Sequence, residues 1–268
     1  MSANPPTENI QPFFFGTPGQ QLYGCYHPAA QTHDFALLLC PPLGDEYVRA
    51  HRANRLLAAR LARAGVPVLR FDYYGTGDSM GVDTDATLAQ WQANIVQAMD
   101  ELKRRSGLKR VMLAGLRLGA ALALLASVGR ADVVGAALWE PVINGAAYLA
   151  ELREAHEHKL FYIASASPPP ASSSSELLGF SFSPSFLREV EALDLLSITA
   201  KPAPRILLLE QSEGEHMPSF RAHLANLGAA LTHQVVDDPV IWAEDPDKAL
   251  VPAQVLQAII AWVTQGTG

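Results

Sequence analysis

Cysteines are scarce in this sequence, and so are the features that mark secreted and membrane-spanning chains. Two cysteines in 268 residues are too few for a disulfide framework and favour a reducing, cytoplasmic setting. No uninterrupted apolar run is long enough to cross a bilayer. The opening stretch MSANPPTENIQPFFFG has no basic region followed by an apolar stretch, so it predicts no secretory signal.

Basic residues are also in deficit. The chain has 20 lysines and arginines against 27 aspartates and glutamates, a formal net charge of −7. It shows no basic stripe, so we expect no nucleic acid as a partner. GTPGQQ and GTGDSMG lack the lysine of a phosphate-binding loop. His156 and His158 are spaced for different faces of a helix. We therefore expect no cofactor and no metal.

What the sequence does contain is a regular alternation of apolar strands and helices. Hydrophobic residues make up 49% of it, enough for a sizeable core. Strands that alternate with helices predict a mostly parallel sheet with right-handed crossovers, flanked by helices. The predicted strands are 35–40, 66–72, 110–115, 133–141, 204–210 and 231–237, and the predicted helices are 53–65, 87–105, 118–127, 219–229 and 252–263.

The alternation breaks between residues 142 and 200. Helical pieces there flank SASPPPASSSS, a low-complexity Pro/Ser stretch that predicts a mobile segment. We interpret residues 1–141 and 201–268 as one sheet domain, into which residues 142–200 are inserted as a small helical cap.

One predicted turn carries an unexpected residue. VMLAGLRLGA, residues 111–120, has the pattern of a buried strand, a Gly-x-x-x-Gly turn and an apolar helix. Gly115 and Gly119 would allow the helix to pack closely on the strand. The middle residue of the turn is Arg117, whose guanidinium stays protonated and cannot attack a carbonyl.

Four motifs resemble those of a known family. CPPLGDEYVRAHR, FDYYGTGDS, GLRLGA and LWEPV together resemble the exosortase A system-associated hydrolase group, near the serine aminopeptidase-like branch of the α/β-hydrolase superfamily. The wider resemblance covers nearly the whole chain. It implies the α/β-hydrolase fold, a hydrolase-like activity, a cap inserted after the strand near 133–140, and a link to exopolysaccharide or surface-protein export genes.

The resemblance also indicates which residues should carry chemistry. The superfamily's elbow is Gly-x-Ser-x-Gly, so Arg117 replaces the nucleophile. The segment after the last predicted strand, DDPVIWAEDP, has no histidine where the base belongs, and Trp242 occupies that position. The backbone N–H groups of Leu43 and Leu118 remain as the two expected oxyanion donors. Together with Arg117 they would form an anion-binding site.

A buried arginine needs a paired anion. Glu140 and Glu210 each end or follow a predicted strand, and Glu46 lies in the loop beside the expected oxyanion donors, so any of the three is a candidate counter-ion. Glu46 and His51 are alternatively an acid/base pair. His233, inside a predicted strand, is expected to be structural.

These residues predict a protein that acts on a small acyl, ester or thioester ligand with an anionic group and forms no acyl-enzyme on serine. The expected catalytic residues are Arg117, Glu46, His51 and Glu140, and the expected pocket walls are Trp242 and Tyr73. Two alternatives stay open. One is an inactive relative that keeps the pocket to bind a ligand or partner protein, and the other is an esterase with a displaced nucleophile. The sequence does not fix the oligomeric state.

Overall fold

The computed structural model describes residues 9–30, 32–164, 175–211, 214–243 and 250–265. Most of the Pro/Ser stretch for which we predict mobility, residues 165–174, lies outside these ranges. None of the described helices has the length and apolar character that crossing a membrane requires.

A mostly parallel sheet organises the chain, as the alternation of strands and helices predicts. Its strands are β1 (Gln11–Phe15), β2 (Leu22–His27), β3 (Phe35–Cys40), β4 (Val68–Phe71), β5 (Arg110–Leu116), β6 (Val133–Trp139), β9 (Arg205–Glu210) and β10 (Ala230–Val235), and β7 (Glu176–Leu177) and β8 (Phe180–Ser181) form a separate hairpin. The order across the sheet is β1-β2-β4-β3-β5-β6-β9-β10. Strand β2 is antiparallel to β1 and β4, and the other neighbours are parallel.

Helices cover both faces of the sheet and create two apolar cores. They are α1 (Gly44–Arg63), α2 (Leu88–Ser106), α3 (Leu118–Ser127), α4 (Gly145–Ala164), α5 (Pro184–Glu191), α6 (Met217–Asn226) and α7 (Ala253–Thr264). Helices α2, α3 and α6 pack on one face through residues such as Trp91 and Phe220. Helices α1 and α7 pack on the other through residues such as Leu57 and Val255. Because both faces are covered, β3 and β6 are buried along their whole length and appear in the sequence as continuous apolar runs.

Helix α1 begins earlier than its apolar periodicity predicts. The periodic part starts at residue 53, whereas the helix starts at Gly44. Its first turn is polar and contains Asp45 and Glu46, which the positive end of the helix dipole favours. The helix therefore holds Glu46 rigidly at the carboxyl edge of the sheet.

The two glycines of the Gly-x-x-x-Gly turn are required by backbone contacts. A Cβ added to Gly115 would lie 2.5 Å from the carbonyl carbon of Gly119. A Cβ added to Gly119 would collide with the carbonyl groups at the end of β3 and at Pro41. Strand β5, helix α3 and the loop after β3 therefore meet backbone to backbone at this edge.

The segment between β6 and β9 adds no strand to the central sheet over its described residues. It consists of α4, the β7–β8 hairpin and α5, followed by one turn of 3₁₀ helix. The hairpin is tied to α4, because Leu178 N donates to His156 Nδ1 at 3.0 Å. It is also tied to the chain after β4, because Ser181 N donates to Asp83 Oδ2 at 3.3 Å.

Candidate active site at the Arg117 turn

Arg117 has a strained backbone between β5 and α3. Its φ is 53° and its ψ is −121°. For a residue other than glycine this conformation costs about 1–3 kcal/mol and persists only where the surroundings impose it. Here Arg117 N donates to Trp139 O at 3.0 Å, and Arg117 O accepts from Val142 N at 3.3 Å. The end of β6 therefore fixes the turn, and such strain clusters at functional sites.

Glu46 is the buried counter-ion of Arg117. Arg117 Nε donates to Glu46 Oε1 at 3.0 Å, and the two side chains are 11% and 3% exposed. Tyr148 on α4 donates its hydroxyl to the other oxygen, Oε2, at 2.8 Å. Burial raises the pKa of Glu46, while the charge of Arg117 opposes that shift. Burial alone would lower the pKa of Arg117, but the adjacent carboxylates outweigh it and keep the guanidinium charged.

A second carboxylate, Glu151, reaches the same guanidinium from α4. Arg117 Nη2 lies 2.5 Å from Glu151 Oε2, and the Glu151 side chain is 54% exposed. Sequence reasoning missed Glu151 and Tyr148. Their spacing of three residues puts them on one face of a helix, but nothing in the sequence indicates that this face meets the turn.

Two aromatic rings complete the surroundings of the guanidinium. The Cζ of Arg117 lies 5.2 Å from the centre of the Tyr148 ring and 5.4 Å from that of Trp242, distances at which cation–π attraction acts. Trp242 in turn packs edge-on against Trp139 at 5.8 Å. Trp242 is thus next to Arg117, and its role as a pocket wall stays a prediction.

The backbone groups of Leu43 and Leu118 stand at the starts of two helices. Leu43 is the N-cap residue of α1, and Leu118 is the first residue of α3. The first N–H groups of a helix have no acceptor within it, and the dipole makes that end attractive to anions. Both leucine side chains are buried. Because Gly119 packs on the carbonyl of Pro41, the two helix starts lie side by side at the edge where Arg117 is held.

His51 and Tyr73 are not part of the Arg117 cluster, which corrects two expectations. His51 is an exposed residue of α1 whose ring lies 6.3 Å from that of Tyr47, and burial of the ring and the nearby Arg70 lower its pKa. Glu46 is committed to Arg117 and Tyr148 instead, since it faces the turn. Tyr73 is 1% exposed and stacks on a core tryptophan with ring centres 4.4 Å apart, so it is a core residue.

Glu140 and Glu210 are not the counter-ions either. Glu140 has a φ of 45°, and its Oε1 accepts from Gln211 N at 2.5 Å. Buried Glu210 pairs with His233 Nε2. The other ring nitrogen of His233 lies 2.7 Å from Arg221, so both ring nitrogens of this histidine have partners. Among the described residues, no histidine forms a hydrogen bond with Arg117.

The fold and the edge on which the site lies define an α/β hydrolase. Residues 33–179, more than half of the chain, match the family described as serine aminopeptidase, S33. The chain therefore belongs to this α/β-hydrolase family. No curated protein matches the sequence.

Several solved structures share the fold. An esterase of Pyrococcus furiosus is 15% identical with a TM-score of 0.67, the alignment covering 100% of this chain and 96% of that one. Est1E of Butyrivibrio proteoclasticus, in a structure with bound ferulic acid, is 17% identical with a TM-score of 0.64 and coverages of 94% and 100%. The mouse alpha/beta hydrolase domain-containing protein 10 is 17% identical with a TM-score of 0.55 and coverages of 94% and 96%.

Proposed function

We propose that this protein is a hydrolase-type enzyme that acts on a small acyl compound, an ester or thioester, which carries an anionic group, and that it forms no acyl-enzyme on serine. The observation that carries this proposal is the buried guanidinium of Arg117, held in the strained turn where relatives carry their nucleophile, with one of its two carboxylate partners exposed.

The anionic group of the substrate takes the place of Glu151. Glu46 is 3% exposed and is held by Arg117 and Tyr148, so removing it would strand a buried charge at high cost. Glu151 is 54% exposed, and an exposed ion pair contributes little free energy. A carboxylate or phosphate from solvent can therefore replace Glu151 on Arg117 while Glu46 stays. In this proposal the predicted cap, residues 142–200, supplies both Tyr148 and the exchangeable Glu151.

Water, in place of a side chain, attacks the substrate carbonyl. The oxygen of water forms the new bond to the carbonyl carbon. The proton of that water goes to the carboxylate of Glu151, which the anionic group of the substrate has displaced from Arg117. The N–H groups of Leu43 and Leu118 stabilise the negative charge that develops on the carbonyl oxygen. When the bond to the leaving group breaks, Glu151 returns the proton to the leaving oxygen or sulfur.

Two further observations support the substrate class. Est1E, which shares the fold, is found with bound ferulic acid, an aromatic carboxylic acid. The motif resemblance to exosortase-associated hydrolases suggests that the substrate belongs to exopolysaccharide or surface-protein export, and the neighbouring genes on the chromosome would test that link.

The test compares an anionic ester with a neutral one. We expect p-nitrophenyl hemisuccinate to be hydrolysed faster than p-nitrophenyl butyrate, and Arg117→Ala to reduce turnover of the anionic ester about 100-fold while leaving the neutral ester nearly unchanged. Arg117→Lys, which keeps the charge, should retain part of the preference, and circular dichroism verifies that both variants fold.

Arg153→Ala is the matched control, because Arg153 is an exposed arginine of α4 paired with Glu191 at 3.8 Å. It should leave both rates unchanged. Equal rates for the two esters, or full turnover by Arg117→Ala, would overturn the proposal. Binding of the anionic compound without turnover would favour the inactive relative.

A further inference from the structure

A cavity of about 430 Å³ lies between the start of α1, the loop after β4 and the β7–β8 hairpin, and its lining includes Pro42 and Gly44, the residues on either side of Leu43. Its volume is within the range of small-molecule sites, roughly 300–1,000 Å³. Among the described residues, Glu46, Glu151, Tyr148 and Trp242 contact the Arg117 guanidinium, and none of these four lines the cavity.

The walls of the cavity are largely aromatic. Tyr47, Trp91, Phe180 and Phe182 contribute four rings from three different segments of the chain. Trp91 is fixed by the core, since its Nε1 donates to Tyr74 O at 3.1 Å. Aromatic rings favour edge-on and offset contacts with another ring.

Two exposed apolar side chains stand at the cavity. Val48 on α1 is 57% exposed and Val82 after β4 is 55% exposed, and both line the space. Large apolar side chains gain nothing from contact with water. Their grouping beside an apolar cavity is the pattern expected where a ligand covers them.

One carboxylate lines the cavity. Asp83 is the one charged side chain among its described lining residues. It is held in place because its Oδ2 accepts from Ser181 N at 3.3 Å and its Oδ1 from Thr84 N at 3.0 Å. Asp83 would repel a carboxylate bound in the cavity, and no described lining residue supplies a compensating cation. An uncharged ring would meet no such repulsion.

We propose that this cavity is a second binding site, which takes a small uncharged aromatic compound. It differs from the Arg117 cluster because four aromatic rings line it and because the one charged side chain among its described lining residues is negative.

Isothermal titration calorimetry of the full chain with indole tests the site. We expect one indole to bind per chain, and Val48→Trp and Val82→Trp, which fill the space with a larger ring, to weaken that binding by about tenfold or more. Val235→Trp is the matched control, because Val235 is 56% exposed on β10, at the far edge of the sheet. It should bind indole as the parent does, and because these valines are exposed, all three variants should fold.

Two competitors test the proposed chemistry. In competition titrations, indole carboxylate should bind the site about tenfold more weakly than indole does, and n-octanol should also compete poorly. Absence of indole binding, or equal binding by the three tryptophan variants and the parent, would overturn the site. Stronger competition by n-octanol would overturn the aromatic specificity, and strong competition by indole carboxylate would overturn the charge selection.

Arg117→Ala separates this inference from the proposed function. It should bind indole with unchanged affinity, so the outcome of the ester experiment and the outcome of the indole titration are independent. Loss of indole binding in a folded Arg117→Ala protein would show that the two sites are one, and would overturn the inference.

Discussion

Arg117 Nε donates to Glu46 Oε1 over 3.0 Å, and this ion pair joins the turn after β5 to the first turn of α1. Both partners are nearly inaccessible to water, at 11% and 3% exposure. Neither charge can be removed without leaving the other buried, so the pair contributes to the stability of the fold as well as to the proposed chemistry.

The losses of stability from removing the two partners should therefore not be additive. We expect Arg117→Met to lower the free energy of unfolding by about 3–5 kcal/mol, because it leaves the buried Glu46 without its cation. Glu46→Gln should cost less, because Arg117 keeps its ion pair with Glu151. The double variant should lose less than the sum of the two. Urea denaturation of the four proteins measures this coupling. Additive losses would mean that the two side chains do not depend on each other.

Glu151 should behave in the opposite way. We expect Glu151→Gln to change the free energy of unfolding by less than about 1 kcal/mol, because the Glu151 side chain is 54% exposed and Arg117 keeps Glu46. Affinity for benzoate should rise about 3- to 10-fold, since a competing carboxylate has been removed from Arg117. Calorimetric titration measures both proteins, with Glu154→Gln on the exposed surface of α4 as the control. An unchanged or weaker affinity for benzoate would contradict the exchange.

Serine alone should not restore a nucleophile at the turn. We expect neither the natural protein nor Arg117→Ser to be labelled by a serine-directed fluorophosphonate, because serine needs a histidine to take its proton and His233 is already bonded through both ring nitrogens. Mass spectrometry of the intact protein measures the label, with a serine esterase as the positive control. Strong labelling of Arg117→Ser would show that a histidine does reach the turn.

The turn and the sheet could be predicted from the sequence because the signals are local. Buried strands such as β3 are continuous apolar runs, and the glycines around Arg117 mark a close approach of backbones. The identity of the counter-ion is not a local property. The sequence leaves three candidates: Glu46, Glu140 and Glu210. Glu46 lies in the first turn of α1, which precedes the apolar periodicity that predicts the rest of this helix.

The contribution of the segment after β6 could not be predicted for a related reason. Tyr148 and Glu151 share a helix face, but the packing of α4 decides which face meets Arg117. The sequence predicts that His51 pairs with Glu46. His51 follows Glu46 by five residues on α1, and this spacing rotates its side chain around the helix axis toward Tyr47 and solvent.

The glycine turn should be intolerant of a single methyl group. We expect Gly119→Ala to lower the free energy of unfolding by about 3 kcal/mol or more, because its Cβ would collide with carbonyl groups after β3. Gly214→Ala is the control, since a Cβ there meets nothing within 4 Å and its φ is not positive. Thermal and urea unfolding compare the three proteins, and equal stability of the two variants would contradict the close packing.

Asp132 should give the stability a dependence on acid pH. Burial alone would raise the pKa of Asp132, but hydrogen bonds from Arg130 and Lys103 outweigh it and lower the pKa to about 2. The folded form therefore holds the ionised carboxylate more strongly than the unfolded form, whose aspartate pKa is about 3.9. The stabilisation is present above about pH 4 and is lost as the pH falls toward about 2.

We expect the free energy of unfolding of Asp132→Asn to fall less steeply than that of the parent over this window. Urea titrations at a series of pH values measure the slope. Asp34→Asn is the comparison, because Asp34 pairs with Arg110 in a more exposed position, its side chain being 59% accessible. Parallel slopes for the parent and Asp132→Asn would contradict the assignment.

Helix α4 carries both Tyr148 and Glu151, and this has a consequence for local opening. If α4 lifts from the sheet, Glu46 loses the phenol that donates to it and Arg117 loses one of its two carboxylates in the same event. Detachment of the helix is thus opposed by the loss of these two contacts, and the amide protons of its first turns should exchange with solvent deuterium more slowly while Arg117 holds Glu151.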